Sequence, residues 1–447
     1  MFDYIDVFKL EAKYFLKDFR SKNKRETELA AKYFSGKTDL SLMQAQHIVA
    51  KEYGFNSWDD LAKAERWDLA AALNIAQNKK LSSPLRIWYS HEELGYSMAE
   101  RYGIQGPDFR GDVDLVNYRQ KHSWGWSSYI HINNFDVSFA DLSGLDISKA
   151  TFDDFTIWPA DEAKMPKNFN PKAFLEKRKN PGLGIRKLHQ SGIDGRGRNA
   201  AIISQGVLRP HLEYRDSLAD YINLKSDTVA HEGANGGWKV ALLSGKNCGV
   251  APKAKVYYFA VDSASEDFSQ FAEAIRRVCQ LHEELKKRGK NGIDVVVLNE
   301  VFGELSEDVQ SAIKYAESLG IFVNKYPYAF DCADIECRME GDIDNPDDYV
   351  VHVVSKRNDK KKNRDTLCFI GYGQTVPCQY TIGSYLFNTT SCLGSFWLSG
   401  LFMLCRSVRT DLTPKDFFAT ALETGDYREG IGVVVNPQRL IAKLKNK

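Results

Sequence analysis

No cysteine occurs before Cys248, and all eight in the 447-residue chain lie at or beyond it. That is too sparse for the disulfide framework of a small secreted domain, so free thiols in a reducing compartment are expected. Neither charge is in excess. Sixty Lys and Arg against 59 Asp and Glu leave a formal net charge of +1, which gives no electrostatic footprint for nucleic acid or an acidic membrane. Long apolar runs are missing too. The best, Cys392 to Cys405, is broken by Gly and Ser and falls short of the ~18 residues a membrane span needs. The N-terminal MFDYIDVFKLEAKYFLKDF lacks the basic start and apolar run of a signal peptide. These absences predict a cytoplasmic protein with no membrane and no nucleic-acid partner.

What remains is ordinary globular composition, 43% hydrophobic and 27% charged, at a length that suits two or three domains. Cys332, Cys337, Cys368 and Cys378 are the set to weigh as a zinc site. Their Cys-x₄-Cys spacing is looser than a zinc knuckle and no His–Cys pattern stands nearby, so no metal and no other cofactor is expected.

Residues 1–65 read as an all-helical accessory module. Phe8, Ala12, Phe15, Leu16 and Phe19 recur at helical spacing. A second periodic segment runs from Glu26 to Phe34 and stops at Gly36. Asp39 or Ser41 can cap a third helix ending near Tyr53 and Gly54, and Asn56 or Ser57 a short fourth from Trp58 to Ala64. The string LSLMQAQHIVAKEYGFNSWDDL resembles a small helical module found at the start of bacterial proteins, with an AQ…A…GF-x-SW-xx-L pattern. That resemblance implies no chemistry, and His47 within it reads as a packing residue.

Residues 66–174 form an intermediate region. A helix (68–77), a strand (85–89) and a helix (92–102) fit an α/β unit. HEEL at 91–94 lacks the second His of a zinc-protease motif. Phe135, Leu142, Leu145, Ile147 and Phe152 keep a loose five-residue beat, too short for a self-standing solenoid. It reads as an irregular linker packed on the next domain.

From 175 to 447 short apolar strands alternate with amphipathic helices, the pattern of a parallel sheet covered on both faces. The strands are expected at 200–203, 256–261, 295–298, 321–323 and 350–354. The helices are expected at 268–287 and 307–319, with a long one after Cys392. The acidic stretch Glu340 to Asp348 and the basic stretch Lys356 to Arg364 read as solvated loops.

Three blocks of this region carry a family resemblance. The first is Gly192, Ile193, Gly195, Gly197 and then Ala200 to Ile203, followed by Ser204. The second is NGGWKVALLSGKNCGVAPKAKVYYFAV, and the third TTSCLGSFWLSGLFMLC, followed by a terminal Gly-x-Gly-x-x-x-Asn-Pro. In this order, from Asn180 to Leu444, they resemble bacterial subtilisin-like serine proteases (subtilases, peptidase S8 type). The resemblance implies an α/β fold with a subtilisin-like parallel sheet sandwiched by helices. It also implies where the catalytic triad would fall. Ser204 stands where the family has Asp, Asn235 where it has His, and Cys392 where it has the nucleophilic Ser, eight residues before Gly400. A one-residue slip would put Ser391 there instead, and His231, in the sequence HEG, is an alternative imidazole. Asn324 is the candidate oxyanion donor, with Ala329 at the ungapped position. His211 matches a family position outside the triad.

A serine protease needs an imidazole to move the hydroxyl proton and a carboxylate to hold that imidazole. Ser204 brings no charge, an Asn235 amide is no base near neutral pH, and a Cys392 thiol reacts only as thiolate. The expected protein is therefore a pseudoprotease that binds a peptide or protein segment. The alternatives are a serine- or cysteine-type endopeptidase using Ser391 or Cys392 with His231, and a structural or regulatory interaction protein.

Overall fold

The computed structural model describes residues 5–64 except 23 and 54, then 69, 130–132, 137–138 and 141–446. Within the last stretch it leaves out 155, 208, 210, 225–235, 262–268, 299–304, 326–329, 353–362, 379–382 and 389–392. Apart from Leu69, the elements expected between 68 and 102 lie outside the described residues, as does the basic stretch to position 362. The chain divides into two units, residues 1–113 with 380–383, and residues 114–379 with 384–447.

The first unit contains α1 (Ile5–Arg20), α2 (Lys24–Tyr33), α3 (Leu42–Glu52) and α4 (Trp58–Lys63). Ile5, Phe8, Ala12, Phe15 and Phe19 bury one face of α1, and Phe8 meets Tyr53 edge-on at 4.9 Å. Of the candidate caps, Ser41 and Ser57 do the work. Ser41 forms a full capping box with Gln44, and the Ser57 hydroxyl accepts from the Asp60 amide.

The second unit holds β1 (Ile130–His131), β2 (Ala150–Asp153), α5 (Pro171–Arg178), α6 (Ile185–Gln190), β3 (Asn199–Ser204), β4 (Leu218–Asn223), α7 (Gly236–Ser244), β5 (Lys255–Ala260), α8 (Ser269–Lys287), β6 (Val295–Leu298), α9 (Glu307–Ser318) and β7 (Phe322–Lys325). It continues through β8 (Cys332–Cys337), β9 (Tyr349–Val351), β10 (Leu367–Ile370), β11 (Gln374–Pro377), β12 (Tyr385–Asn388), α10 (Gly394–Val408), α11 (Pro414–Thr424), β13 (Asp426–Arg428), β14 (Gly432–Val434) and α12 (Pro437–Lys445).

Its central sheet has the order β4-β5-β3-β6-β7, with every pair parallel. Ala201, Ile203, Val296 and Leu298 pack on one side with buried residues of α8 and α9. Ala200, Ile202, Val295 and Val297 pack on the other with those of α7 and α10. Burial on both faces is why these strands are continuously apolar and legible as such. Each fully buried Ile or Val contributes roughly 1.5–3 kcal/mol. The α/β architecture with a helix-sandwiched parallel sheet is thus the one observed.

Segment 350–354 is placed differently from the expectation of one alternating sheet. It supplies β9, an edge strand antiparallel to β8 in a second, mixed sheet of order β13-β14-β10-β8-β9. The connection from 338 to 348 is too short for the crossover a parallel neighbour requires. That acidic connection is also more than solvated loop. Asp344 accepts from the Gly184 amide at 2.8 Å and from Asn180 Nδ2 at 3.2 Å. Beneath it the buried Arg178 guanidinium donates to the carbonyls of Cys337, Arg338, Met339 and Gly373.

A third sheet, β1-β2-β12-β11, takes in the segment with the five-residue beat. Phe152 of β2 sits 5.6 Å from Phe387 of β12, with Trp158, Phe169 and Phe174 around it. Among the described residues no helix is long and apolar enough to cross a membrane.

Candidate site at the carboxyl end of the central strand

In open parallel sheets, functional groups gather beyond the carboxyl ends of the strands, where successive connections leave to opposite sides. Here that place is the end of β3. The chain moves from β3 to β5 on one side and then crosses to β6 on the other. Ser204 closes β3, level with Ala260 of β5. It is fully buried, and its carbonyl accepts from the Val261 amide at 2.8 Å.

The residue beside it was not foreseen from the sequence. Lys239, the one charged residue of α7 and only 2% exposed, donates from Nζ to Ser204 Oγ at 2.5 Å. Its helix packs close to the strand end through two glycines. A Cβ on Gly236 would lie 2.5 Å from the Gly206 carbonyl oxygen, and one on Gly237 2.6 Å from the Tyr214 hydroxyl. The only sequence signal for Lys239 was a single cation inside the otherwise apolar GGWKVALL.

The turn after α7 is held by a second buried charge. Glu213 accepts from the amides of Asn247 (2.6 Å) and Cys248 (2.7 Å) through Oε1. Its Oε2 accepts from Asn247 Nδ2 (2.8 Å) and the Tyr385 hydroxyl (2.6 Å). Burial, with Glu213 adding to it, pushes the Cys248 thiol and the Tyr385 hydroxyl above their ordinary ranges, so neither ionises near neutral pH.

His211 sits in the same cluster. Its Nδ1 accepts from the Glu213 amide at 3.0 Å, Nε2 lies 3.3 Å from the Ser384 carbonyl, and the ring stacks on Tyr214 at 5.1 Å. Full burial lowers its pKa from 6.5 to about 3. It stays neutral and is held by hydrogen bonds within the cluster. Between pH 6.5 and about 3 the unfolded chain binds a proton that the folded chain refuses, so stability falls as pH falls. From pH 7 to pH 5 His211 should cost about 2 kcal/mol. Urea unfolding of wild type and His211→Gln over that range checks this, since the variant's pH profile should be flatter by about that amount. His189, also lowered chiefly by burial, adds to the shared slope in both proteins.

The buried helix of the third sequence block closes the region. Gly400 of α10 lets the helix approach Val250, whose Cβ would lie 2.6 Å from a Cβ at that position. Trp397 Nε1 donates to the Pro181 carbonyl at 2.7 Å. The second block thus packs on the third through Val250 and Gly400, and meets the end of the first through Gly236 and Gly206. Asn324, level with Val297 in the sheet, is buried. Its Nδ2 donates to the Ser395 carbonyl and to Ser399 Oγ, both at 2.9 Å. Both amide hydrogens are thus spent on α10.

Asn235, His231, Ser391, Cys392 and Ala329 lie outside the described residues. Cys332 and Cys368 stand on the neighbouring strands β8 and β10. Among the described residues no three His, Cys, Asp or Glu side chains converge as metal ligands, so the four candidate cysteines do not form a cluster.

No protein-family model matches the chain, and no curated protein matches it. Solved structures do. The chain is similar to the prenylagaramide maturation protease PagA, with 12% identity and a TM-score of 0.41 over 59% of this chain and 99% of that one. It is also similar to fervidolysin from Fervidobacterium pennivorans, a keratinolytic enzyme related to subtilisin, with 13% identity and a TM-score of 0.44 over 61% of this chain. It spans 47% of fervidolysin's length. Likenesses of this depth carry no argument about activity.

Chemically, the strand end offers a hydroxyl and an amine, both buried and hydrogen-bonded to each other, and no carboxylate at the Ser204 position.

Proposed function

We propose that this chain is a subtilase-like pseudoprotease, in which a protease scaffold without a working triad holds a peptide or protein segment. One observation carries the reading. Where the sequence resemblance puts the catalytic Asp, the Ser204 hydroxyl is bound by Lys239 at 2.5 Å. Triad chemistry requires a negative charge there to stabilise the imidazolium that forms as the nucleophile loses its proton. A protonated Lys239 would oppose it, since like unit charges about 4 Å apart repel by about 4 kcal/mol at an effective dielectric of 20. A neutral Lys239 would contribute no compensating charge. In neither state does the Ser204–Lys239 pair itself supply the negative charge that triad chemistry needs.

Support for the scaffold comes from close packing between the resemblance blocks, with Gly236 against Gly206 and Gly400 against Val250. A cleft that takes extended peptide by main-chain hydrogen bonds does not need the triad to do so. The cysteine pattern supports a reducing, cytoplasmic setting.

The test is active-site labelling of the folded full-length protein with a fluorophosphonate and with iodoacetamide, read by intact and peptide mass spectrometry. No stoichiometric adduct at Ser391 or Cys392 is expected. An adduct there that disappears in His231→Ala would mean that a working peptidase has been read as a dead one.

A further inference from the structure

The N-terminal unit carries a surface whose chemistry selects a partner, independently of the pseudoprotease reading. A shallow groove of about 450 Å³ on this unit is lined by Lys13, Leu16, Lys17, Arg20, Ser21 and Leu42. Its lining combines two leucines with three basic side chains. Of its lining, Leu42 is 39% exposed, and Met43, next to it in the chain, is 75% exposed. Six large hydrophobic residues are exposed among the described residues, and three of them, Tyr14, Leu42 and Met43, belong to this unit. Single exposed apolar residues need no explanation, but a cluster of them marks a contact surface.

The geometry is built rather than incidental. The Ser41–Gln44 capping box fixes the first turn of α3, which places Leu42 and Met43 at its outer start. Arg20 Nε bonds Asp39 at 3.1 Å and Nη2 reaches the Leu40 carbonyl at 3.4 Å, pinning the end of α1 to the approach of α3. The basic charge is not neutralised. Arg20 is shared with Asp39, whereas Lys13 and Lys17 are exposed and make no ion pair among the described residues.

We infer that this groove docks an acidic amphipathic helix from a partner protein. Lys13 and Lys17 stand one helical turn apart. They match carboxylates at the same spacing on the partner, and Leu16, Leu42 and Met43 receive its apolar face, the helix-in-groove mode of recognition. Nucleic acid fits less well. Two uncommitted lysines beside two leucines offer little to a phosphate backbone, whose binding rests on many cationic contacts.

The test uses the full-length protein and two fluorescein-labelled synthetic helical peptides of about 16 residues. One carries leucines at i and i+4 flanked by glutamates, and the other has lysine at every glutamate position. By fluorescence anisotropy at low salt, the acidic peptide should bind at least about tenfold tighter than the basic one. Its affinity should fall by at least about tenfold in Lys13→Glu/Lys17→Glu and in Met43→Asp. Circular dichroism confirms folding, and the peptide charge swap keeps the test valid should a variant not fold. Equal binding of the two peptides, or undiminished binding by folded Lys13→Glu/Lys17→Glu, would overturn the proposal. Either result leaves the labelling test of the strand-end site untouched.

Discussion

Glu213→Ala should destabilise the folded protein by about 4 kcal/mol, measured by urea unfolding at pH 7. Glu213 is 2% exposed and accepts four hydrogen bonds, from two backbone amides, one side-chain amide and one tyrosine hydroxyl. Truncation leaves the buried Cys248 amide without its acceptor, and the donors of half-buried Tyr385 and exposed Asn247 to find others. Each orphaned donor costs about 1–3 kcal/mol before relaxation. Glu213→Gln keeps the shape but turns one acceptor into a donor facing other donors, so it should lose roughly half as much. The turn that Glu213 holds joins α7 to β5, so its loosening should also be felt at Lys239. A loss below about 1 kcal/mol for the alanine variant would mean the carboxylate is not the organiser of this turn.

Lys239→Ala should cost about 3 kcal/mol. Its four-carbon stem fills a fully buried position in α7, and emptying such a position loses both transfer free energy and packing. Lys239→Met keeps most of that volume and should recover more than half of the loss in the same unfolding assay. The pair also has a functional consequence. Placing a triad at the proposed positions, as Ser204→Asp/Asn235→His/Cys392→Ser, should leave peptide hydrolysis at background. The new carboxylate would stand within hydrogen-bond reach of the Lys239 ammonium and bind it instead of orienting an imidazole. Measurable turnover by that triple variant would remove the electrostatic basis of the proposed function.

Legibility followed locality. β3, β5, β6 and β7, together with α8, α9 and α10, were foreseen to within a residue or two because burial on both faces writes continuous apolar runs and amphipathic helices write a 3.6-residue period. The caps of α3 and α4 were legible because Ser41 and Ser57 act on residues three positions away. β4 was not foreseen. It is a half-exposed edge strand whose LADYIN carries no continuous apolar signal. β11 and β12 were not foreseen either. Segment 350–354 had the right hydropathy but no mark of which sheet, or which direction, it would join.

The sequence by itself determined the α/β class and the order of the three blocks, because both are written in nearest-neighbour chemistry and spacing. Tertiary structure decided which side chains meet at the end of β3 and beside α10. Lys239 is 35 residues from Ser204 along the chain, and Asn324 is 71 and 75 residues from the groups that take up its amide. Such pairings depend on strand register and on how closely Gly236, Gly237 and Gly400 let helices approach the sheet, and hydropathy along a chain carries neither quantity.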